Sequence, residues 1–142
     1  MKKTIIKVLA LTLVAVMMCA ILVSCDAPNT DPAKALAALK DNGYTAEKID
    51  NEGLGALAIA ALTAAGISDV ECVVSGTAKI DDKVEHVTII YFEDDDAAKA
   101  EWEDVQKFMD DSKEDGEETE WVIKKSGNMI YYGTKNGVKA AK

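Results

Sequence analysis

Two apolar segments with the alternation of β-strands occupy the middle of the chain and restrict its fold more than any other feature. Residues 70–80 and 84–92 are rich in Val, Ile, Thr and aromatic side chains, and only Asp81-Asp82-Lys83 separates them. Strand segments joined by so short a polar connection form an antiparallel hairpin. A turn centred on Asp82 pairs Cys72 with Phe92 and Ala78 with His86.

In this register one face of the hairpin forms the core, which comprises Cys72, Val74, Ala78, Ile80, Val84, His86, Ile90 and Phe92. A second apolar strip lies on the opposite face and consists of Val73, Val87, Ile89 and Tyr91. We expect another element to cover this strip, and a partner that contacts it is the alternative.

Helical periodicity and a second hairpin complete the pattern. We predict helices over 31–43, 53–65 and from Asp95 or Asp96 to Ser112, a short strand over 44–49, strands over 121–125 and 129–132, and a short C-terminal helix capped by Thr134. Hairpins separated by helices predict an α+β fold, a small antiparallel sheet built from two hairpins with helices packed on one face.

The charge balance excludes one large class of function. The 142 residues carry 16 Lys, no Arg and 25 Asp or Glu, which gives a net charge of −9. Nucleic-acid binding needs clustered Lys and Arg, so no nucleic-acid partner is expected. Residues 31–142 are long enough for a single acidic domain.

The N-terminal segment has the layout of an export signal. A basic stretch with Lys2, Lys3 and Lys7 precedes an uncharged apolar run over 8–23. The run ends in Leu22-Val23-Ser24-Cys25. This motif resembles the lipobox of bacterial lipoproteins. An ordinary signal peptide and a transmembrane anchor are the alternatives, although the run is short for an anchor.

The resemblance implies cleavage before Cys25 and lipidation of its thiol. Residues 1–24 would be a lipoprotein signal peptide, residues 25–30 the lipidated cysteine and a short exposed tether, and residues 31–142 the domain. We therefore expect an extracytoplasmic protein, lipid-anchored to the bacterial cell membrane. Cys19 then leaves with the signal, and Cys72 remains without a disulfide partner.

Catalytic and metal-binding motifs are sparse. Cys72 and His86 are the only thiol–imidazole combination, but the expected register separates them along the hairpin. The acidic run 93–96 lacks the ligand spacing of an EF-hand, so we interpret it as a helix cap. We expect no metal, cofactor or catalytic residue, and these features favour a binding module over an enzyme.

Charge is distributed unevenly near the C-terminus. Residues 93–120 hold 14 acids and 3 Lys, whereas residues 121–142 hold 5 Lys and no acid. Mutual compensation and a polarised surface that faces an anionic lipid or wall polymer both explain this pattern. The candidate binding surface consists of Trp121, Tyr131, Tyr132, Lys124 and Lys125.

The sequence thus predicts a membrane-anchored lipoprotein that acts as a binding or accessory module at the cell surface. Its partners would be the membrane, through the lipid on Cys25, and an envelope protein or wall polymer. Two alternatives stay open: a carboxylate-based hydrolase of cell-wall or glycan material, and a small-ligand or cation-binding lipoprotein.

Overall fold

A computed structural model describes residues 27–53, 55–112 and 121–142. The signal segment, Cys25 and the predicted acidic loop over 113–120 lie outside the described residues. The described residues contain five helices and five strands, in the order α1 (Pro32–Asp41), β1 (Thr45–Asp50), α2 (Gly55–Ala64), β2 (Val70–Ile80), β3 (Lys83–Phe92), α3 (Asp95–Ala100), α4 (Trp102–Ser112), β4 (Trp121–Ser126), β5 (Met129–Thr134) and α5 (Lys135–Ala140).

The strands form one antiparallel sheet in the order β1-β2-β3-β5-β4. The two predicted hairpins, β2–β3 and β4–β5, meet where β5 pairs with β3, and β1 extends the sheet beside β2. The predicted α+β class and antiparallel sheet are therefore confirmed.

The register of the first hairpin differs from our expectation by one residue. Ile80 pairs with Lys83, so the turn has two residues, Asp81 and Asp82, with φ of 50° and 62°. Positive φ at both central positions matches the right-handed twist of the strands but is usually supplied by Asn or Gly. Cys72 consequently pairs with Tyr91 instead of Phe92. The expected grouping of core residues across the two strands is wrong for this reason.

Helices cover both faces of the sheet, so the prediction of helices on one face is wrong. One face, which we call the α1/α5 face, buries Cys72, Val74, Val87, Ile89 and Tyr91 against Leu39 of α1 and Val138 of α5. The other, the α2–α4 face, buries Val73, Ile90, Phe92 and Ile130 against Ala98 of α3 and Val105 of α4. The second apolar strip is covered, as expected, but the corrected register divides it between the two faces.

A β-bulge near the start of β2 changes the face of the sheet on which the first residue of the strand lies. Val70 pairs with Phe92 and Cys72 with Tyr91, so Glu71 is the extra residue. The bulge moves Val70 to the α2–α4 face, although Cys72, two residues later, lies on the α1/α5 face. Simple alternation from the sequence cannot reveal such a switch.

The helix caps follow local chemistry. The Asp31 carboxylate accepts a hydrogen bond from the Ala33 amide at the start of α1. Asp94, not the expected Asp95 or Asp96, caps α3 by accepting from the Ala97 amide at 2.7 Å. The predicted third helix is divided at Glu101, a buried residue whose carboxylate accepts a hydrogen bond from the Ser68 hydroxyl.

The residues just before α1 are packed on the domain rather than exposed as a tether. Pro28 is buried, and Ala27 packs against the core of the α1/α5 face. The Asn29 amide donates to the Ala141 carbonyl at 2.9 Å, and the Tyr91 hydroxyl donates to the Asn29 carbonyl at 2.7 Å. Residues 27–29 are thus attached to the domain beside the C-terminal end of α5.

Candidate functional site

The sheet separates the residues of the predicted binding surface. Lys124 pairs with Tyr131, and this pair lies on the α1/α5 face. Trp121 stacks on Tyr132, which belongs to the α2–α4 face, with ring centroids 6.3 Å apart. Lys125 lies on that same face and forms an ion pair with Asp95 of α3. The five residues therefore belong to two different surfaces.

The aromatic half of the predicted surface is a packed group. The Trp121 ring also contacts His86, with centroids 3.9 Å apart at an interplanar angle of 55°. The Trp121 indole nitrogen is buried and has no hydrogen-bond partner among the described residues. Since Trp121 and Tyr132 pack inward, their role is to close the edge of the α2–α4 face.

The lysine half of the surface forms part of a pocket between β4 and α5. The pocket has a volume of about 500 Å³ and is lined by Val122, Lys124, Tyr131, Lys135, Asn136, Val138 and Lys139. Of these seven described residues, three are lysines and none is acidic. Lys124 and Tyr131 belong to the predicted binding surface, whereas the three lining residues of α5 that carry polar or charged side chains do not: Lys135, Asn136 and Lys139.

The position of α5 depends on a close approach of backbones. Thr134 accepts a hydrogen bond from the Gly137 amide at 3.1 Å and thereby caps the helix, as predicted. A Cβ atom at Gly137 would overlap the carbonyl group of His86 on β3. A Cβ at Gly133, where φ is +150°, would overlap the same carbonyl. The two glycines therefore let α5 lie directly on the central strand.

Side chains then fix the helix and orient its lysines. Val138 is 6% exposed and packs into the core. The Asn136 side-chain amide donates to the buried Glu85 carboxylate at 3.0 Å. Lys135 and Lys139 are four residues apart, so they share one side of α5 and face the pocket with Lys124 of β4.

The pocket is cationic because of this arrangement. Within residues 27–53, 55–112 and 121–142, no ion pair involves Lys124 or Lys139. Glu85 lies beneath Asn136 and does not line the pocket. A second, smaller depression of about 260 Å³ lies against α5 and includes Lys139, Asn136 and Tyr44. Among the described residues, no carboxylate lines either depression.

The thiol and imidazole are separated, as expected. Cys72 is buried on the α1/α5 face, whereas His86 contacts Trp121 of the α2–α4 face. In the observed register His86 pairs with Thr77, five residues along β2 from Cys72, which is about 17 Å. Burial raises the pKa of the Cys72 thiol to about 11, and nearby Lys48 lowers it only in part. The thiol is therefore protonated at neutral pH.

The acidic residues at the start of α3 have structural partners. Asp94 caps the helix and Asp95 pairs with Lys125. Among the described residues, no group of three His, Cys, Asp or Glu side chains is arranged to hold a metal ion. None of the helices in the described ranges has the length and apolar content needed to span a bilayer.

Comparison of the chain with protein-family models, with curated proteins and with solved structures gives no match. Functional inference therefore depends on the sequence motif at Cys25 and on the pocket beside α5.

Proposed function

We propose that the protein is an extracytoplasmic bacterial lipoprotein, anchored to the cell membrane through Cys25, whose domain acts as a binding module at the cell surface. The observation that carries this proposal is Leu22-Val23-Ser24-Cys25, which follows a basic stretch and an apolar run as a lipobox does.

The packing of residues 27–29 supports a membrane-proximal position for the domain. After the proposed cleavage only Cys25 and Asp26 would precede Ala27, which packs against the core. Two residues span at most about 7 Å of extended chain. A domain held this closely keeps α5, to which Asn29 is hydrogen-bonded, near the attachment point.

A binding role is supported by the chemistry of the pocket. Hydrolysis of glycans commonly uses two carboxyl groups that flank the substrate. The pocket between β4 and α5 instead presents three lysines above Tyr131 and Val138. Cations and apolar groups in one concave site hold a ligand without supplying an acid–base pair.

The anchor is tested by fatty-acid labelling of the full chain in a bacterial host. The parent protein should incorporate an alkyne-tagged fatty acid and lose residues 1–24. Cys25→Ala should abolish both labelling and cleavage, because the thiol is the acceptor of the lipid.

Cys19→Ala is the matched control, since it removes another cysteine from the same segment. It should be labelled and processed like the parent. Labelling of Cys25→Ala at the parental level would overturn the proposal, and so would loss of labelling in Cys19→Ala alone.

A further inference from the structure

The pocket between β4 and α5 concentrates positive charge in an acidic protein. The net charge of the chain is −9, yet the charged side chains among the described lining residues of the pocket are Lys124, Lys135 and Lys139. Three ammonium groups around one concavity favour a ligand with negative charge, and lysine is a common phosphate binder. Lys125, the neighbour of Lys124 in sequence, is neutralised by Asp95 on the opposite face.

The floor of the pocket is apolar. Tyr131 is 1% exposed, Val138 is 6% exposed, and Val122 is partly buried beside them. A small hydrated anion would contact the lysines but leave this floor uncovered. A ligand that carries an anionic group on an apolar body would contact both, and the volume of about 500 Å³ accommodates a headgroup with its adjoining glycerol and acyl carbons.

The pocket also lies close to the end of the chain that carries the lipobox. The carbonyl of Ala141, the residue directly after α5, accepts a hydrogen bond from the Asn29 amide, and Ala141 lies only two residues after Lys139. Residues 25–29 span at most about 14 Å, and the six residues of α5 span about 9 Å. Every part of the pocket helix is therefore within about 25 Å of Cys25.

From these observations we infer that the pocket binds the headgroup of an anionic membrane phospholipid. Lys124, Lys135 and Lys139 contact the phosphate, and Val122, the most exposed of the three apolar lining residues, contacts the first apolar carbons. The choice of a membrane lipid over a free phosphate rests on the proposed anchor at Cys25, which places the pocket beside the bilayer, and on the apolar floor.

Native mass spectrometry of the membrane-extracted full-chain protein tests this inference. The protein is released from detergent micelles that contain equal amounts of phosphatidylglycerol and phosphatidylcholine, and the retained lipids are identified by mass. Each cation near an anionic headgroup contributes about fivefold in affinity. With three lysines at the headgroup, we expect the phosphatidylglycerol adduct to exceed the phosphatidylcholine adduct by about 100-fold.

Lys124→Gln/Lys139→Gln should reduce the preference for phosphatidylglycerol about 25-fold, which leaves the preference of about fivefold that Lys135 supplies. The matched control is Lys99→Gln/Lys107→Gln, which changes the net charge equally on exposed positions of α3 and α4. It should bind like the parent. Lys124→Arg/Lys139→Arg, which keeps both charges, should retain the adduct, whereas a merely structural role of the lysines would not predict this rescue.

Equal adducts of the two lipids would overturn the inference, as would equal losses in the test and control variants. Displacement of the phosphatidylglycerol adduct by millimolar inorganic phosphate would assign the site to free phosphate and contradict the lipid assignment. The mass of the protein in the same spectrum reports the lipid on Cys25. The protein mass therefore tests the proposed lipidation of Cys25, and the lipid adducts test the proposed binding site, so that either proposal can fail independently of the other.

Discussion

Replacement of Gly137 by alanine tests how α5 is seated on the sheet. Intrinsic helix propensity favours alanine over glycine by about 1 kcal/mol. In this fold, however, a Cβ at position 137 would overlap the His86 carbonyl oxygen and lie 2.7 Å from its carbon and 3.0 Å from the Thr134 hydroxyl oxygen. His86 belongs to β3, which is paired on both sides and cannot move away.

The expected cost of this overlap follows from its two consequences. Forced displacement in a packed region costs about 1–3 kcal/mol, and loss of the Thr134 cap costs about 1 kcal/mol. After the gain in helix propensity, Gly137→Ala should lower the free energy of unfolding by about 2 kcal/mol. For a domain of this size the melting temperature should fall by about 10 °C.

Urea unfolding followed by tryptophan fluorescence measures this loss. Gly43→Ala is the control, because Gly43 has φ of +82° and nothing lies within 4 Å of its would-be Cβ. Its cost should be about 1 kcal/mol from backbone strain alone. If Gly137→Ala unfolds at the parental or a higher urea concentration, the close approach of α5 to β3 is wrong.

Three further predictions concern the turn, the thiol and the N-terminal segment. Asp81→Asn/Asp82→Gly should raise the free energy of unfolding by about 1 kcal/mol, because it supplies the residues preferred at positive φ, and an unchanged urea midpoint would contradict the turn geometry. In a variant without Cys19 and Cys25, Cys72 should stay unreactive towards a disulfide reagent at pH 8, since burial raises the pKa of its thiol to about 11. The free energy of unfolding should fall as the pH rises from about 9 to 11, because the thiol ionises in the unfolded chain before it ionises in the folded one. Rapid reaction of Cys72 with the reagent in the folded protein would refute the burial of the thiol. Tyr91→Phe should lower the free energy of unfolding by about 1 kcal/mol and expose residues 27–29 to proteolysis, because the hydrogen bond to the Asn29 carbonyl is lost. Equal rates of cleavage in the variant and the parent protein would argue against that contact.

The sequence allowed the elements to be predicted because their signals are local. Alternation over 70–92, Asp31-Pro32 at the start of a helix and Thr134 as a cap depend on neighbouring residues. The hairpin register failed because Asp81 and Asp82 adopt positive φ without a glycine to indicate it. The coverage of both faces was missed because it follows from the one-residue register change and the bulge at Glu71.

The candidate site could be predicted only in part for a related reason. Lys124 and Lys125 are adjacent, so composition assigns them to one basic cluster, whereas the alternation of β4 places them on opposite faces. Compensation therefore holds for Lys125, which pairs with Asp95, and the polarised surface stays a prediction for Lys124. The role of Gly137 was not predictable, because it depends on a carbonyl 51 residues away in sequence.

The central claim is that the protein is held at the membrane by its first mature residue. Mass spectrometry of the N-terminal peptide of the membrane-extracted protein tests it most directly. The account predicts a peptide that begins at Cys25 and carries a diacylglyceryl group on its sulfur. A peptide that begins at another residue, or an unmodified Cys25 thiol in the membrane-extracted protein, would contradict it.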